Sequence, residues 1–309
     1  MNGKTMGRMG VFGLIASVGL FAFAERLPLW PAGKMPLAQG HQIAAMTDES
    51  GAKGFAPDAH REPYLEWFPA PTNKPVSTCL ILVSGGAYNS CCDVNHVKTW
   101  RKTFSSLGVQ CVNLVYRTPR PKGLPFYATA WADGQRAVRL VRAEAAMRGY
   151  SPDRIGAFGM SAGSHLVTLL ATSSRTAAYA KVDEADDVPC NLNFACTCAL
   201  AYALTDGLGC QNAKNGEGDG VALDSIFAFD GGTCPMWLCH GEVDPYSANA
   251  SRAVHARLKE LKIPTELIIY PKMGHAMLGV GHAVKFVERQ GFLEKKPNVI
   301  SSRGLRFEF

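Results

Sequence analysis

Four absences narrow what this chain can be. Its ten cysteines include no C-x-x-C pair, so the paired-thiolate spacing of a structural zinc site is missing and no metal is expected. Charged residues make up only 19% of the chain and the net charge is +6. Lysine and arginine are scattered and form no stripe, which removes the electrostatic footprint of a nucleic-acid binder. No internal repeat is present, which excludes a solenoid or a propeller. Past the first two dozen residues no apolar run approaches the ~20 residues that a membrane helix needs. What remains is 47% hydrophobic with 31 Gly and 18 Pro over 309 residues. That is a folded globular composition, long enough to bury a sizeable core and far from a disordered tail or a collagen-like fibre.

The first 24 residues stand apart. Lys4 and Arg8 precede an apolar run from Met9 to Phe23, and Ala22-Phe23-Ala24 has the small-x-small form of a cleavage site. This pattern predicts a signal peptide over 1–24 and a mature chain working in the periplasm or outside the cell, with no stable membrane insertion. An exporting cell permits disulfides. Cys79, Cys111, Cys196, Cys198 and Cys239 lie in apolar strand-like runs, where cysteine behaves as a small buried hydrophobe. Cys190, Cys210, Cys234 and the Cys91-Cys92 pair lie in loop-like sequence and are free to bridge in an order that spacing does not set.

From residue 25 to about 60 the Gly/Pro-rich sequence reads as an extended arm on the body, and 64–68 as an early strand. Short apolar runs bounded by turn residues follow at 76–83, 109–116, 154–158, 193–201, 235–239 and 266–270. Segments of helical period lie between them at 128–148, 162–173 and 248–261. This alternation predicts a single α/β domain over 25–309, a doubly wound and mostly parallel sheet with helices on both faces. The stretch 205–232, rich in Gly, Asn and Asp, reads as a loop or lid insertion.

Four motifs sit at the ends of these strands. Gly159-Met160-Ser161-Ala162-Gly163 lies between a strand and a helix, the context of a nucleophile elbow. Gly159 and Gly163 spare a turn too tight for side chains there, and the helix start aims N–H groups at developing negative charge. Ser84-Gly85-Gly86-Ala87-Tyr88 follows the strand ending at Val83. The N–H groups of Gly86 or Ala87 and of Ala162 are the candidate oxyanion donors. Tyr88 is either an aromatic platform for a sugar or a packed core tyrosine. His240-Gly-Glu-Val-Asp244 and Pro271-Lys-Met-Gly-His275 end later strands, where open α/β sheets place their sites. A serine hydroxyl needs a base, and the base needs an orienting carboxylate. Ser161, Asp244 and His275 come in the chain order used by one class of serine hydrolases. His282 is the rival base and Glu242 the rival acid, while His165 and His240 read as structural.

These motifs, with Leu29-Trp30-Pro31, Asp133–Arg142 and Ser151–Gly156, resemble the α/β-hydrolases of the esterase/lipase superfamily. The closest likeness is to the acetylxylan-esterase-like and BD-FAE-like secreted carbohydrate esterases. The resemblance implies a Ser161–His275–Asp244 triad, no cofactor, and removal of acetyl or feruloyl groups from plant polysaccharide. The chain departs from the family pattern at Ser84 and Ala87 in the oxyanion loop, at Ser164 after the elbow, and most of all in 205–232. A prolyl-oligopeptidase-like peptidase shares fold and triad order but usually carries a propeller that this length cannot hold. A non-catalytic glycan-binding protein is the reading from a different class.

Overall fold

A computed structural model describes residues 25–38, 62–68, 77–91, 94–205 and 221–293. The expected signal peptide 1–24 lies outside the described residues. In chain order the elements are β1 (Glu25–Pro28), β2 (Tyr64–Trp67), β3 (Cys79–Val83), α1 (Val94–Ser106), β4 (Gln110–Val115), α2 (Ala128–Ala143), α3 (Ala145–Arg148), β5 (Ile155–Met160), α4 (Ala162–Thr172), β6 (Phe194–Cys198), β7 (Leu204–Thr205), β8 (Ala222–Leu223), β9 (Met236–Gly241), α5 (Asn249–Glu260), β10 (Thr265–Tyr270) and α6 (Val280–Arg289).

Eight strands form one sheet in the order β1-β2-β4-β3-β5-β6-β9-β10. From β4 through to β10 every neighbouring pair is parallel, and only β2 runs against the others, pairing antiparallel with both β1 and β4. The six expected strands are β3, β4, β5, β6, β9 and β10. Their continuous apolar sequences follow from burial on both faces. Alternate residues go to opposite sides. Ile81, Val83, Ala157, Ala195 and Leu238 face α2, α4 and α5 in one core. Leu80, Leu82, Phe158, Cys196 and Trp237 face α1 and α6 in the other. On that second face Trp100 stacks on Phe158, with ring centres 3.5 Å apart. α4 is buried along its whole length, as its apolar composition requires.

Three elements differ from the sequence reading. α1 was not expected, although Val97, Trp100 and Phe104 present an apolar stripe at helical spacing. The helix expected over 128–148 divides at Glu144 into α2 and α3, and Gly149 closes α3 in the left-handed region at φ 78°. The start of the extended arm becomes β1, because Glu25 to Pro28 find unpaired backbone along β2. Of the expected insertion 205–232, residues 206–220 lie outside the described residues. Its flanks pair as a two-stranded ribbon, Leu204 with Leu223.

Of the loop cysteines left open to bridging, Cys190 and Cys234 are buried free thiols, like the five in strands, and Cys91 is buried with its Sγ 3.2 Å from Ser84 Oγ. Burial pushes the Cys234 thiol up to about 12. Cys92 and Cys210 lie outside the described residues.

The arm is anchored through buried charge. Asp133 and Arg117 form an ion pair at 2.8 Å with both side chains fully buried. Asp133 also accepts from the Trp30 indole at 2.8 Å and from Arg117 N at 2.8 Å. Arg136, one turn on, donates to Leu29 O. Removing the carboxylate strands a buried guanidinium, a loss that typically costs about 3–5 kcal/mol. Asp133→Ala is therefore expected to lower the unfolding free energy by about that much, read from urea denaturation. A midpoint shift within experimental error would refute this account of the anchor.

Candidate active site

β5 lies between β3 and β6 at the centre of the sheet, and a single residue turns it into α4. That residue, Ser161, holds φ 58° and ψ −123°, a conformation that costs an L-residue about 1–3 kcal/mol. The flanking glycines make it possible. A Cβ on Gly159 would lie 2.7 Å from Ser164 N and closer still to Gly163 O. A Cβ on Gly163 would lie 2.6 Å from Ser84 O and closer still to Val83 O. Ser164 secures the turn from below. Its Oγ is placed to donate to Gly159 O at 2.7 Å or Cys198 O at 2.6 Å, and it accepts from Cys198 N at 3.0 Å. Ser161 N donates to Cys198 O at 3.0 Å. The departure at Ser164 thus fastens the elbow to the end of β6.

The loop after β3 carries three consecutive residues at positive φ: Gly86 at 128°, Ala87 at 55° and Tyr88 at 60°. Three of its carbonyls accept hydrogen bonds. Ser84 O accepts from the Tyr116 hydroxyl and Ala87 O from Arg120 Nε, both at 2.9 Å, while Gly86 O accepts from Asn89 N and Ser90 N. The loop lies directly on the serine. A Cβ on Gly85 would be 2.9 Å from Ser161 Cβ and 3.6 Å from its Oγ. Ala162 opens α4, so no turn of that helix can use its N–H. Gly85 is thus the loop residue that meets Ser161, with Gly86 and Ala87 next in the chain, while Ala162 follows Ser161 directly.

Tyr88 is not a sugar platform. It is 1% exposed, and its ring packs against Tyr116 and Phe126, so it has no free face for a sugar to stack on. Its hydroxyl lies 2.9 Å from His165 Nδ1. His165 sits one helical turn after Ser161 and is fully buried, and its Nε2 has no hydrogen-bond partner. Burial lowers its pKa to about 3. A neutral imidazole thus joins the loop after β3 to the helix behind Ser161.

The loops after β9 and β10 bring the other two residues together. His275 Nδ1 lies 2.8 Å from Asp244 Oδ2 and 3.1 Å from Oδ1. The Asp244 side chain is fully buried and that of His275 is 27% exposed. Asp244 also accepts from Tyr246 N at 2.8 Å. His240 Nε2 lies 3.5 Å from Asp244 Oδ2 and 2.9 Å from Tyr246 O, and its Nδ1 lies 2.9 Å from Ser251 Oγ. His240 is thus the pin of the Asp244 loop, in keeping with its structural reading. Its burial pulls its pKa down. Glu242, the rival acid, accepts from Lys272 N and holds the two loops together. His282, the rival base, pairs with the Tyr270 hydroxyl on α6 and has no carboxylate beside it among the described residues.

Cys198 connects the halves. Besides its backbone contacts to the elbow, its Sγ donates to Ala276 O and accepts from Leu278 N, both at 3.2 Å. Ser161 Oγ itself makes no hydrogen bond among the described residues, so the carboxylate–imidazole contact is closed and the hydroxyl–imidazole contact is open. Sequence reasoning passed over Cys198, Tyr202, Tyr246 and Arg120. The hydroxyls of Tyr202 and Tyr246 are 3.0 Å apart, and the Tyr246 ring centre is 5.2 Å from that of His275. Their position just past strand C-termini was the available signal.

The family profile BD-FAE matches residues 67–217, which takes in the oxyanion loop and the elbow and stops before Asp244 and His275. Among solved structures, the acetyl ester-xyloside bifunctional hydrolase from Caldicellulosiruptor lactoaceticus is 24% identical, over 90% of this chain and 100% of that one, with a TM-score of 0.65. Esterase 2 from Thermogutta terrifontis, phosphoramylated by tabun, is 21% identical over 76% of this chain and 92% of that one, with a TM-score of 0.64. The same esterase with propionate bound gives 20% and a TM-score of 0.61. These likenesses are likenesses of fold. No curated protein matches the sequence.

His165 makes stability depend on pH. The unfolded chain protonates this imidazole near its ordinary value of 6.5, whereas the folded chain holds it neutral down to about 3. Between those limits the unfolded state binds the extra proton, so this contribution is complete above the window and is lost as pH falls through it. His165→Asn is expected to remove a slope of up to about 1.4 kcal/mol per pH unit there. Denaturant midpoints of both proteins across the window measure it, and identical slopes would contradict the assignment.

Proposed function

We propose that this chain, an α/β-hydrolase of the BD-FAE-like kind, is a serine carboxylesterase that removes acetyl or similarly small acyl groups from plant-type polysaccharide such as acetylated xylan. The observation that carries the reading is the contact of His275 Nδ1 with the buried Asp244 carboxylate at 2.8 Å, on the same sheet rim as the strained Ser161. Asp244 holds the tautomer with hydrogen on Nδ1 and leaves Nε2 as a proton acceptor. His275 takes the hydroxyl proton as Ser161 Oγ bonds to the ester carbonyl carbon. The carbonyl oxygen becomes an oxyanion that accepts from Ala162 N–H and from Gly86 or Ala87 N–H. The imidazolium then returns its proton to the sugar oxygen, and the bond between acyl carbon and sugar oxygen breaks. Water repeats the sequence on the acyl-serine and releases the acid. No step calls for a cofactor. The absence of a Ser161–His275 hydrogen bond does not count against these roles, because such contacts often tighten only when substrate is bound.

The polysaccharide half of the proposal is supported by the sequence resemblance and by the likeness to the acetyl ester-xyloside bifunctional hydrolase of Caldicellulosiruptor lactoaceticus. Export rests on residues 1–24 alone and would place the enzyme where polysaccharide is met.

Ser161→Ala is expected to keep the circular dichroism of the parent and to lose p-nitrophenyl acetate hydrolysis by roughly 10⁴-fold or more. Turnover near the parent's would end the triad assignment. Acetate release from acetylated xylan by the parent tests the substrate. Export is checked by N-terminal sequencing of protein secreted from a host expressing the full chain, with Glu25 as the expected first residue. Retention of Met1 in the exported protein would overturn the signal assignment.

A further inference from the structure

Arg120 is a half-buried cation beside the proposed site. Its Nε donates to Ala87 O at 2.9 Å, which ties it to the loop lying against Ser161. Its guanidinium carbon stands 5.1 Å from the ring centre of Phe126 and 5.0 Å from that of Tyr202. Tyr202 leads through the Tyr246 hydroxyl, 3.0 Å away, to the ring beside His275. Arg120 therefore ends a short wall of side chains that runs from the oxyanion loop to the base.

The two fully buried guanidinium groups end on carboxylates, Arg117 on Asp133 and Arg136 on Asp183 and Asp186, and half-buried Arg142 ends on the backbone carbonyls of Pro152, Pro189 and Asn191. Arg120 meets no carboxylate among the described residues. An arginine cannot shed its charge to relieve partial burial. The aromatic faces offset part of the lost hydration, and Nε is committed to Ala87. The Nη1 and Nη2 edge is left without a counter-ion, and its planar fork fits a carboxylate bound through two parallel hydrogen bonds.

We propose that Arg120 is a specificity residue that selects esters carrying a carboxylate close to the scissile bond. The inference rests on the esterase reading above and narrows its substrate class. The carboxylate has two possible sources. A sugar acid on the alcohol side would make this an esterase for acidic polysaccharide, and the free acid of a dicarboxylic acyl group would make it a hemiester hydrolase.

Two ester pairs separate these sources. Para-acetoxybenzoate against para-acetoxybenzamide carries the charge on the leaving alcohol. The phenyl monoester of glutaric acid against its terminal amide carries it on the acyl group. In the parent enzyme kcat/KM is expected to favour the anionic member of at least one pair by about tenfold, and added salt should weaken that preference. Arg120→Gln should bring the ratio close to one, and Arg120→Lys should keep part of it as a point charge without the fork. The ratio is the readout, because loosening of the Ala87 loop in either variant slows both members alike. A parent ratio near one or below in both pairs, or a preference that survives in Arg120→Gln, overturns the assignment. If the neutral members are hydrolysed in that case, the esterase reading stands without it. Hydrolysis of no ester at all ends both.

Discussion

Ser161 occupies a backbone conformation that L-residues avoid, and the rest of the site is arranged to hold it there. The turn puts the hydroxyl at the rim of the sheet and starts α4 directly after it, so the Ser161 hydroxyl and the helix N–H groups share one corner. Side chains are excluded at 159 and 163 by neighbouring backbone at under 3 Å. A strain of about 1–3 kcal/mol persists only where its surroundings over-determine it. Here the Ser164 hydroxyl, the Cys198 backbone and the packed end of β3 share that task.

The same device recurs nearby. Ala87 and Tyr88 also sit at positive φ without being glycine. Arg120 on the Ala87 carbonyl and the Tyr88–His165 pair hold them. Burial keeps His165 uncharged, so its contact with the Tyr88 hydroxyl links the loop after β3 to α4 without a buried imidazolium. Cys198 joins the elbow to the segment after His275 through backbone on one side and sulfur on the other. A cysteine that composition suggests is core filling therefore also joins the Ser161 turn to the segment after His275.

Charge inside the fold is spent on position. Arg117 with Asp133 ties the arm to α2, and Arg136 with Asp183 and Asp186 ties α2 to the chain leading into β6. Buried pairs of this kind add little net stability over apolar replacements but are costly to break singly. They set where elements sit. Arg120 has no such partner among the described residues and lies instead on the Ala87 carbonyl between the rings of Phe126 and Tyr202, which is the basis of the substrate contact proposed for it.

Much of the architecture was legible in the chain alone. Apolar runs of strand length between helical periods could become only a sheet covered on both faces, since a strand buried on both sides has no polar alternation. The placement of Ser161, Asp244 and His275 just past strand ends was legible for the same reason, and so was the need for glycine at 159 and 163, which is a matter of local sterics. The sequence could not tell Asp244 from Glu242, two residues apart on one loop, or show whether Tyr88 faced outward or inward. It left Cys91, Cys190 and Cys234 as possible disulfides, and it gave Arg120 no partner and no role. Each of those depends on which surfaces meet across the sheet rim from strands far apart in the chain. Periodicity and turn chemistry report on a residue and its near neighbours, whereas burial and pairing are settled only when distant segments pack.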